Sequence, residues 1–288
     1  MTLTDRIEQS LAQAVERAQS PGVSRLSAAL HYAVFPGGHR IRPQLCLAVA
    51  EACGDRDTRA ADAAASAIEL LHCASLVHDD MPCFDDAFLR RGKPSVHVEF
   101  GEPIALLTGD ALIVLAFETL GLGATRSAKR LAALLATIAT AVGAPNGIVA
   151  GQAWECETAI PLREYQRAKT GALFVGATAA GAIAARAEPG PWRALGALLG
   201  EAYQVADDLR DVLCSQEELG KPIGQDAARL RPSAAAQLGI GGAKARLEHL
   251  VQAAIQSIPE CPGANRLRTR IEAQTAMFFP KQLAREAA

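Results

Sequence analysis

Four aspartates lie within eight residues in the first half of the chain, at Asp79, Asp80, Asp85 and Asp86. Residues 67–80 have an apolar helical pattern, and Pro82 disfavours helical geometry at the residue before it. The first pair is therefore predicted on the last helical turn and the second pair on the following loop. Because anions at a helix C-terminus oppose the helix dipole, a positive partner is expected beside them.

A second acidic cluster, Asp207, Asp208 and Asp211, ends another apolar-leaning run. Asp207 and Asp211 are one helical turn apart and share a face. Acidic runs are usually solvated surface, but each cluster here ends an apolar stretch and so lies at the rim of a core. Mg2+ binds one or two protein carboxylates, keeps water ligands and accepts phosphate oxygens. Two such clusters, if they face each other, predict several Mg2+ ions that clamp a diphosphate.

Basic residues beside glycines or beside these acids complete the predicted anion site. A single exposed Arg or Lys usually serves solubility, so the inference depends on their co-occurrence. His72 lies seven residues before Asp79 on the same helix face and is predicted to contact an anion, whereas His78 is assigned a structural role. The basic residues are His39, Arg40, Arg42, Arg90, Arg91, Lys169 and Lys221.

The elements that position these residues are predicted to be helices throughout. The 288-residue chain is 50% hydrophobic and only 5% aromatic, and its hydrophobic residues are mainly Ala and Leu, which favours helix over sheet. Helical patterns of roughly ten to twenty-five residues alternate with short Gly/Pro breakers, and no repeat or interdomain linker interrupts them. We therefore expect one all-α domain over residues 1–288.

Composition and charge exclude several functional classes. The 29 Lys+Arg and 31 Asp+Glu leave a net charge of -2, so general attraction to nucleic acid is not expected. The N-terminal segment is interrupted by acids and resembles no signal peptide, and no run reaches the ~18 apolar residues of a membrane span. Seven cysteines without a CxxC pair predict free thiols. These features predict a cytoplasmic protein.

Taken together, these residues resemble the trans-isoprenyl diphosphate synthases, within them the short-chain bacterial farnesyl and geranylgeranyl diphosphate synthases. The likeness is strongest to the geranylgeranyl synthases of bacterial carotenoid and bacteriochlorophyll clusters. It extends from about residue 37 to residue 233. The motifs that carry it are GGHRIRP (37–43), LLHCASLVHDDMPCFDDAFLRRGKPS (70–95), GDAL (109–112), GQ (151–152), KTG (169–171), QVADDLRD (204–211) and LGKPIGQD (219–226).

The resemblance implies a helical barrel around a deep apolar cavity, with both aspartate motifs at its mouth, and a homodimer. It implies head-to-tail condensation of isopentenyl diphosphate with dimethylallyl, geranyl or farnesyl diphosphate, with three Mg2+ ions, or Mn2+ in their place. The implied metal ligands are Asp79, Asp80, Asp85, Asp207, Asp208 and Asp211. The implied allylic contacts are Arg90, Lys169, Thr170, Gln204, Lys221 and Arg231, and the isopentenyl diphosphate contacts are His39, Arg42, His72 and Arg91.

The chemistry of diphosphate loss agrees with these residue types. Departure of diphosphate builds negative charge on the leaving group, so metal ions and cationic side chains lower the barrier and no protein nucleophile is needed. Oxygens of Thr170 and Gln204 are expected to face the resulting cation in a cavity that excludes water. Compared with the family pattern, His39 and Arg231 each replace a Lys and Glu155 replaces an Asp, but no metal-ligand aspartate is lost. We therefore expect an active enzyme.

Helix geometry predicts the length of the product. One helical turn rises ~5.4 Å, close to one isoprene unit, so Ser75 and Ala74, four and five residues before Asp79, should line the cavity beneath the motif. Farnesyl synthases of the family carry an aromatic floor at one of these positions. Two small residues predict a twenty-carbon product, with Phe117 as a candidate stop. The alternatives are a farnesyl diphosphate synthase, a longer-chain synthase and a non-catalytic partner subunit.

Overall fold

The computed structural model of the protein describes residues 1–35, 37–55, 58–213 and 233–279. The regular structure of this part of the chain consists of thirteen α-helices, a 3-10 turn (Pro21–Val23), a π-helical turn (Arg167–Gly171) and one short β-hairpin, which confirms the all-α prediction. The helices are α1 (Leu3–Arg17), α2 (Ser24–Val34), α3 (Ile41–Ala52), α4 (Thr58–Asp79), α5 (Val96–Phe100), α6 (Glu102–Gly123), α7 (Ala128–Val142), α8 (Ile148–Trp154), α9 (Leu162–Gln166), α10 (Ala172–Ala184), α11 (Trp192–Leu213), α12 (Ala234–Gln256) and α13 (Ala264–Ala276).

Two alanine-rich helices, α4 and α10, form the centre of the packing. Helix α4 packs against α3, α6 and α10, and α10 packs in turn against α3, α7 and α11. Most side chains of both helices are buried around the whole circumference. A helix that is apolar on every side is stable only when other helices surround it. Because α4 ends at Asp79, its C-terminus carries the first acidic motif to the edge of this core.

A hairpin follows the first acidic motif. Strand β1 (Leu89–Arg90) pairs antiparallel with β2 (Lys93–Pro94), with Arg90 opposite Lys93. The two residues between them, Arg91 and Gly92, have φ angles of 55° and 76°. Positive φ at both central residues matches a type I′ turn, whose twist suits a two-residue hairpin. The sequence did not predict this hairpin, because strands of two residues are too short to show an alternating pattern.

Two helices are long and apolar enough to cross a membrane by length and composition alone, Thr58–Asp79 and Glu102–Gly123. In the apolar window of the first, 78% of the residues are buried inside the protein, whereas the share for the second is 44%. The first is therefore the core helix α4. The second, α6, has an exposed apolar face, so the expected absence of a membrane span stays a prediction.

Candidate active site

Three carboxylates from two parts of the chain meet where α4 ends. The loop after α4 folds back, because the Asp85 amide donates to the Asp79 carbonyl at 2.9 Å. One carboxylate oxygen each from Asp79, Asp85 and Glu155 lies within 4.8 Å of the other two. Three acids this close repel one another unless a cation lies among them, and oxygen ligands suit Mg2+. The described residues therefore fit the predicted metal at Asp79 and Asp85.

Glu155 is the member of this group that sequence reasoning missed as a site residue. It caps the C-terminus of α8, where Gln152 Nε2 donates to Glu155 Oε2 at 3.1 Å. The phenol of Tyr165 donates to Glu155 Oε1 at 2.5 Å. The available signal was the acidic residue three positions after the GQ pair, which the family pattern also has, as Asp. Only the fold brings it beside Asp79.

Lys169 bridges the two parts of the carboxylate group. Its Nζ lies 3.1 Å from Asp79 Oδ1 and 2.6 Å from Glu155 Oε1. It projects from a π-helical turn, Arg167–Gly171, that joins α9 to α10. Such turns are rare and occur mostly at functional sites. Gly151 of α8 packs directly on the backbone of Lys169, and a Cβ at Gly151 would overlap it. The GQ and KTG motifs are thus in contact.

Arg90, which is partly exposed, forms an ion pair with the buried Asp80 beside this group. Arg90 Nε donates to both Asp80 oxygens, at 2.9 and 3.0 Å, and Nη2 also donates to Asp80. Burial raises the pKa of Asp80, although Arg90 opposes the shift. Burial alone would lower the pKa of Arg90, but the hydrogen bond and charge of Asp80 outweigh it and raise the pKa. Arg90 Nη2 is also 4.0 Å from Asp79 Oδ2, so it remains beside the metal-ligand candidates.

The second acidic motif lies on the last turns of α11. The Thr170 hydroxyl donates to Gln204 Oε1 at 3.0 Å, and Gln204 Nε2 donates to Asp208 Oδ1 at 2.9 Å. The Ala234 amide donates to Asp208 Oδ2 at 2.7 Å, so Asp208 also caps the start of α12. The charge of Asp207 acts on Arg90 and raises its pKa, which places the second motif within electrostatic reach of the first. Asp211 is partly buried one turn further along α11.

A second pair of predicted site residues, Arg42 and His72, lies between the N-terminus of α3 and α4. Arg42 Nη1 is 3.4 Å from His72 Nε2, and its guanidinium lies 4.7 Å from the Phe174 ring centroid and 5.4 Å from that of Tyr203. Desolvation, followed by the charges of Arg42 and Arg91, holds the pKa of His72 well below its usual value of 6.5. His72 is therefore neutral near pH 7 and accepts a hydrogen bond from Arg42.

The other predicted residues divide by position. Arg91, in the hairpin turn, lies against Gly38, and His39 is exposed on the loop before α3. Ala74 is buried, and Ser75 donates its hydroxyl to the His72 carbonyl at 2.8 Å. Phe117 is partly buried on α6. Lys221 and Arg231 lie outside the described residues.

Comparison with known proteins agrees with this arrangement. The family model for polyprenyl synthetases matches residues 23–265. A geranylgeranyl diphosphate synthase of Cereibacter sphaeroides is 53% identical over 285 residues, which cover 99% of each chain. A second one, of Rhodobacter capsulatus, is 49% identical over 94% of each chain. A geranyltransferase structure from Helicobacter pylori, complexed with magnesium and isoprenyl diphosphate, has a TM-score of 0.80 at 26% identity over 94% of this chain and 95% of that one.

These matches confirm the fold and the family that the motifs predicted. They cover nearly the whole chain, and both aspartate clusters fall inside the matched residues. The chain belongs to the polyprenyl synthetase family.

Proposed function

We propose that the protein is a Mg2+-dependent geranylgeranyl diphosphate synthase that condenses isopentenyl diphosphate with an allylic diphosphate. The observation that carries the proposal is the carboxylate group of Asp79, Asp85 and Glu155, bridged by Lys169, at the end of the helix that also bears His72. A metal-dependent site for one diphosphate and a cationic site for another thus lie along a single helix.

On the allylic side, the proposal assigns Lys169 and Arg90 to the diphosphate oxygens, with Lys221 and Arg231 in support. Bound Mg2+ supplies positive charge that stabilises the diphosphate as it leaves. The carbon–oxygen bond breaks and its electron pair departs with the diphosphate. Thr170 and Gln204, held together at 3.0 Å, offer oxygen dipoles to the allylic cation. We assign Asp79, Asp85 and Asp207 as principal ligands of three Mg2+ ions, or of Mn2+, supported by Asp80, Asp208 and Asp211.

On the other side, Arg42, His72, Arg91 and His39 are assigned to the diphosphate of the isopentenyl substrate. The double bond of that substrate attacks the allylic carbon and forms the new carbon–carbon bond. The adjacent carbon then loses a proton to the departed diphosphate, which restores a double bond. This route needs no side-chain base. Because His72 is neutral, it adds no positive charge to this site. Its role is to help orient the Arg42 side chain through their hydrogen bond.

The assembly and extent of the protein complete the proposal. One hydrophobic cluster includes residues from α1 to α13, which supports a single domain over residues 1–288. Exposed apolar residues on α6, among them Leu106, Leu107 and Val114, support a homodimer that covers them. The six cysteines in the described part of the chain are free thiols, which supports a cytoplasmic protein, and the net charge of -2 supports no nucleic-acid partner.

A product assay tests the proposal. The purified chain is incubated with Mg2+, labelled isopentenyl diphosphate and each allylic primer in turn, and the products are separated by chromatography. We expect a twenty-carbon product from every primer and loss of turnover in Asp79→Ala. A fifteen-carbon product as the end point would establish the farnesyl alternative. Absence of turnover by the folded wild-type protein would favour the non-catalytic partner subunit.

A further inference from the structure

Arg40 is a buried cation that the proposed mechanism does not use. It is the residue before α3 and has a left-handed backbone, with a φ angle of 51°. Its side chain is 1% exposed. Nε donates to Glu8 Oε1 at 2.7 Å, Nη1 to Glu69 Oε1 at 2.7 Å, and Nη2 to the Val34 carbonyl at 2.8 Å and to Glu8 Oε2 at 3.3 Å.

These contacts leave Arg40 little capacity for a substrate. Four of the five guanidinium N–H groups have acceptors, and two carboxylates balance the charge. Arg42 differs, because its Nε is buried and has no hydrogen-bond partner within the described part of the chain. Of two arginines separated by one residue, Arg40 is saturated by protein groups, whereas Arg42 keeps a donor for a ligand.

Both arginines contact the same helix, α4, at positions about one turn apart. Arg40 binds Glu69 and Arg42 contacts His72, and these partners are three residues apart on α4, so they share a face. The start of α3 is therefore held on α4 by two adjacent contacts in fixed register. Gly37 lies so close to the Arg40 guanidinium that a Cβ there would overlap it, so the preceding loop also closes around this side chain.

Several arginines lie close together around His72, so their mutual repulsion would push the start of α3 away from α4 unless another contact held it there. The charges of Arg42, Arg91, Arg90 and Arg40 all act on His72 in the same direction. Without a bound diphosphate, Arg42 and Arg91 repel each other, which lowers the pKa of Arg42 further after the effect of its burial. Glu69 and Glu8 neutralise Arg40, so its attachment does not depend on substrate, and a loop fixed in this way loses less entropy when a diphosphate binds.

We propose that Arg40, through its buried pair with Glu69, is a positioning residue that holds Arg42 and His72 in place for the diphosphate of the isopentenyl substrate. This inference rests on the proposed function, because it concerns the second diphosphate of that reaction. Arg40 acts through Arg42 and does not touch the substrate.

Steady-state kinetics of Arg40→Lys and Glu69→Gln test the inference. Arg40→Lys keeps the positive charge but loses the planar guanidinium donors that bind two carboxylates at once. Glu69→Gln keeps the size of the side chain but loses its negative charge. We expect each variant to raise KM for isopentenyl diphosphate by about tenfold, equivalent to ~1.4 kcal/mol. The allylic KM and kcat should stay within about twofold of the wild type. In an Arg42→Lys background, Arg40→Lys should change KM by less than about twofold, because the two residues act as one unit.

Arg6→Lys is the matched control. Arg6, like Arg40, joins α1 to α4 by a partly buried ion pair, in this case with Asp62, and it also binds Glu51 of α3. Arg6 is not among the residues assigned to contact a substrate. The Arg6→Lys variant should therefore lower Tm without changing KM for either substrate. If Arg40→Lys does not fold, KM for isopentenyl diphosphate in the milder Glu69→Gln variant decides the question.

The outcomes separate the two proposals. Equal changes in both KM values, or effects of Arg40→Lys and Arg42→Lys that simply add, would show that Arg40 only stabilises the fold. Unchanged kinetics in folded Glu69→Gln would also overturn the inference. A wild-type protein that does not condense isopentenyl diphosphate would instead refute the proposed function.

Discussion

At the scale of single residues, the ammonium group of Lys169 offsets the repulsion among Asp79, Asp85 and Glu155. It lies within 3.1 Å of two of these carboxylates, so it stands where a divalent cation would also be drawn. A bound metal and Lys169 therefore compete for Asp79. If Mg2+ takes the place of Lys169 beside Asp79, Lys169 is available for its proposed contact with the allylic diphosphate.

This competition predicts opposite effects on metal affinity and on turnover. Lys169→Met should bind Mg2+ alone more tightly than the wild type, by about threefold or more, because the three carboxylates lose their compensating charge. Turnover should fall by about 100-fold, since the leaving diphosphate loses a cation. Calorimetric titration with Mg2+ measures the first effect and a product assay the second. Lys129→Met, on the distant α7, is the control, and weaker Mg2+ binding in Lys169→Met would refute the competition.

The protonation state of His72 makes a prediction about stability. Because its pKa in the folded protein lies well below 6.5, the unfolded chain binds a proton that the folded protein does not as pH falls below about 6.5. Above pH 6.5 this stabilisation of the folded protein is complete. Below pH 6.5 the free energy of unfolding falls by up to about 1.4 kcal/mol for each pH unit, until the pH reaches the lowered pKa of His72 in the folded protein.

Thermal unfolding between pH 7 and pH 5 measures this loss. His72→Gln should lose less Tm than the wild type over that interval, because glutamine does not titrate. His249→Gln removes an exposed imidazole and serves as the control. Parallel Tm curves for wild type and His72→Gln would show that His72 takes up its proton equally in both states.

At the scale of elements, the sequence predicted the helices and both aspartate motifs but not how separate elements converge. Asp79 and Asp85 belong to one motif, so their proximity follows from a single helix end and its loop. Glu155 reaches them only through the contact between α8 and the π-helical turn, and no local pattern encodes that contact. The left-handed Arg91 of the hairpin was missed for a related reason, since a turn between two-residue strands has no periodicity.

The contact between α8 and the π-helical turn can be tested at Gly151. In Gly151→Ala, the added methyl overlaps the backbone of Lys169 and must separate Glu155 from Lys169. We expect a loss of about 1–3 kcal/mol of stability from overpacking and a fall in turnover of at least about tenfold. Chemical unfolding and the product assay measure these two quantities. Gly22→Ala, where a Cβ meets nothing closer than 3.9 Å, should change neither. Normal turnover in Gly151→Ala would mean that the two elements do not need this spacing.

The turn of α4 below Asp79 gives a prediction about product length. Ala74→Tyr should shorten the product from twenty toward fifteen carbons, because an aromatic ring one turn below the motif blocks the growing tail. Ala74 is 1% exposed and the ring risks overpacking, so Ser75→Phe, at a partly buried position on the same turn, provides a second variant. Chromatography of the dephosphorylated products measures the shift. Unchanged product length in both folded variants would rule out this floor.

At the scale of the whole molecule, helix α6 has one face buried in the core and another face exposed. Its buried residues pack on α4, while Leu106, Leu107, Val114 and Leu122 are each between 47% and 68% exposed. These residues lie on the outer face of α6, where the exposed acids Asp110 and Glu118 alternate with Val114 and Leu122. A helix face that exposes several large apolar residues is typical of an interface, and a two-fold axis would bring the same face of a second copy against it.

Introducing charge into this face of α6 should dissociate the proposed homodimer. Val114→Arg combined with Leu107→Arg places two positive charges on each copy, and a two-fold interface brings all four charges into the same contact area, where they repel one another. We expect light scattering coupled to size exclusion to give twice the 30.2 kDa chain mass for the wild type and a single chain mass for the variant. Val23→Arg, at an exposed apolar position outside α6, should remain dimeric. A wild-type protein that runs as a monomer, or a charged variant that keeps the dimer mass, would place the interface elsewhere or remove it.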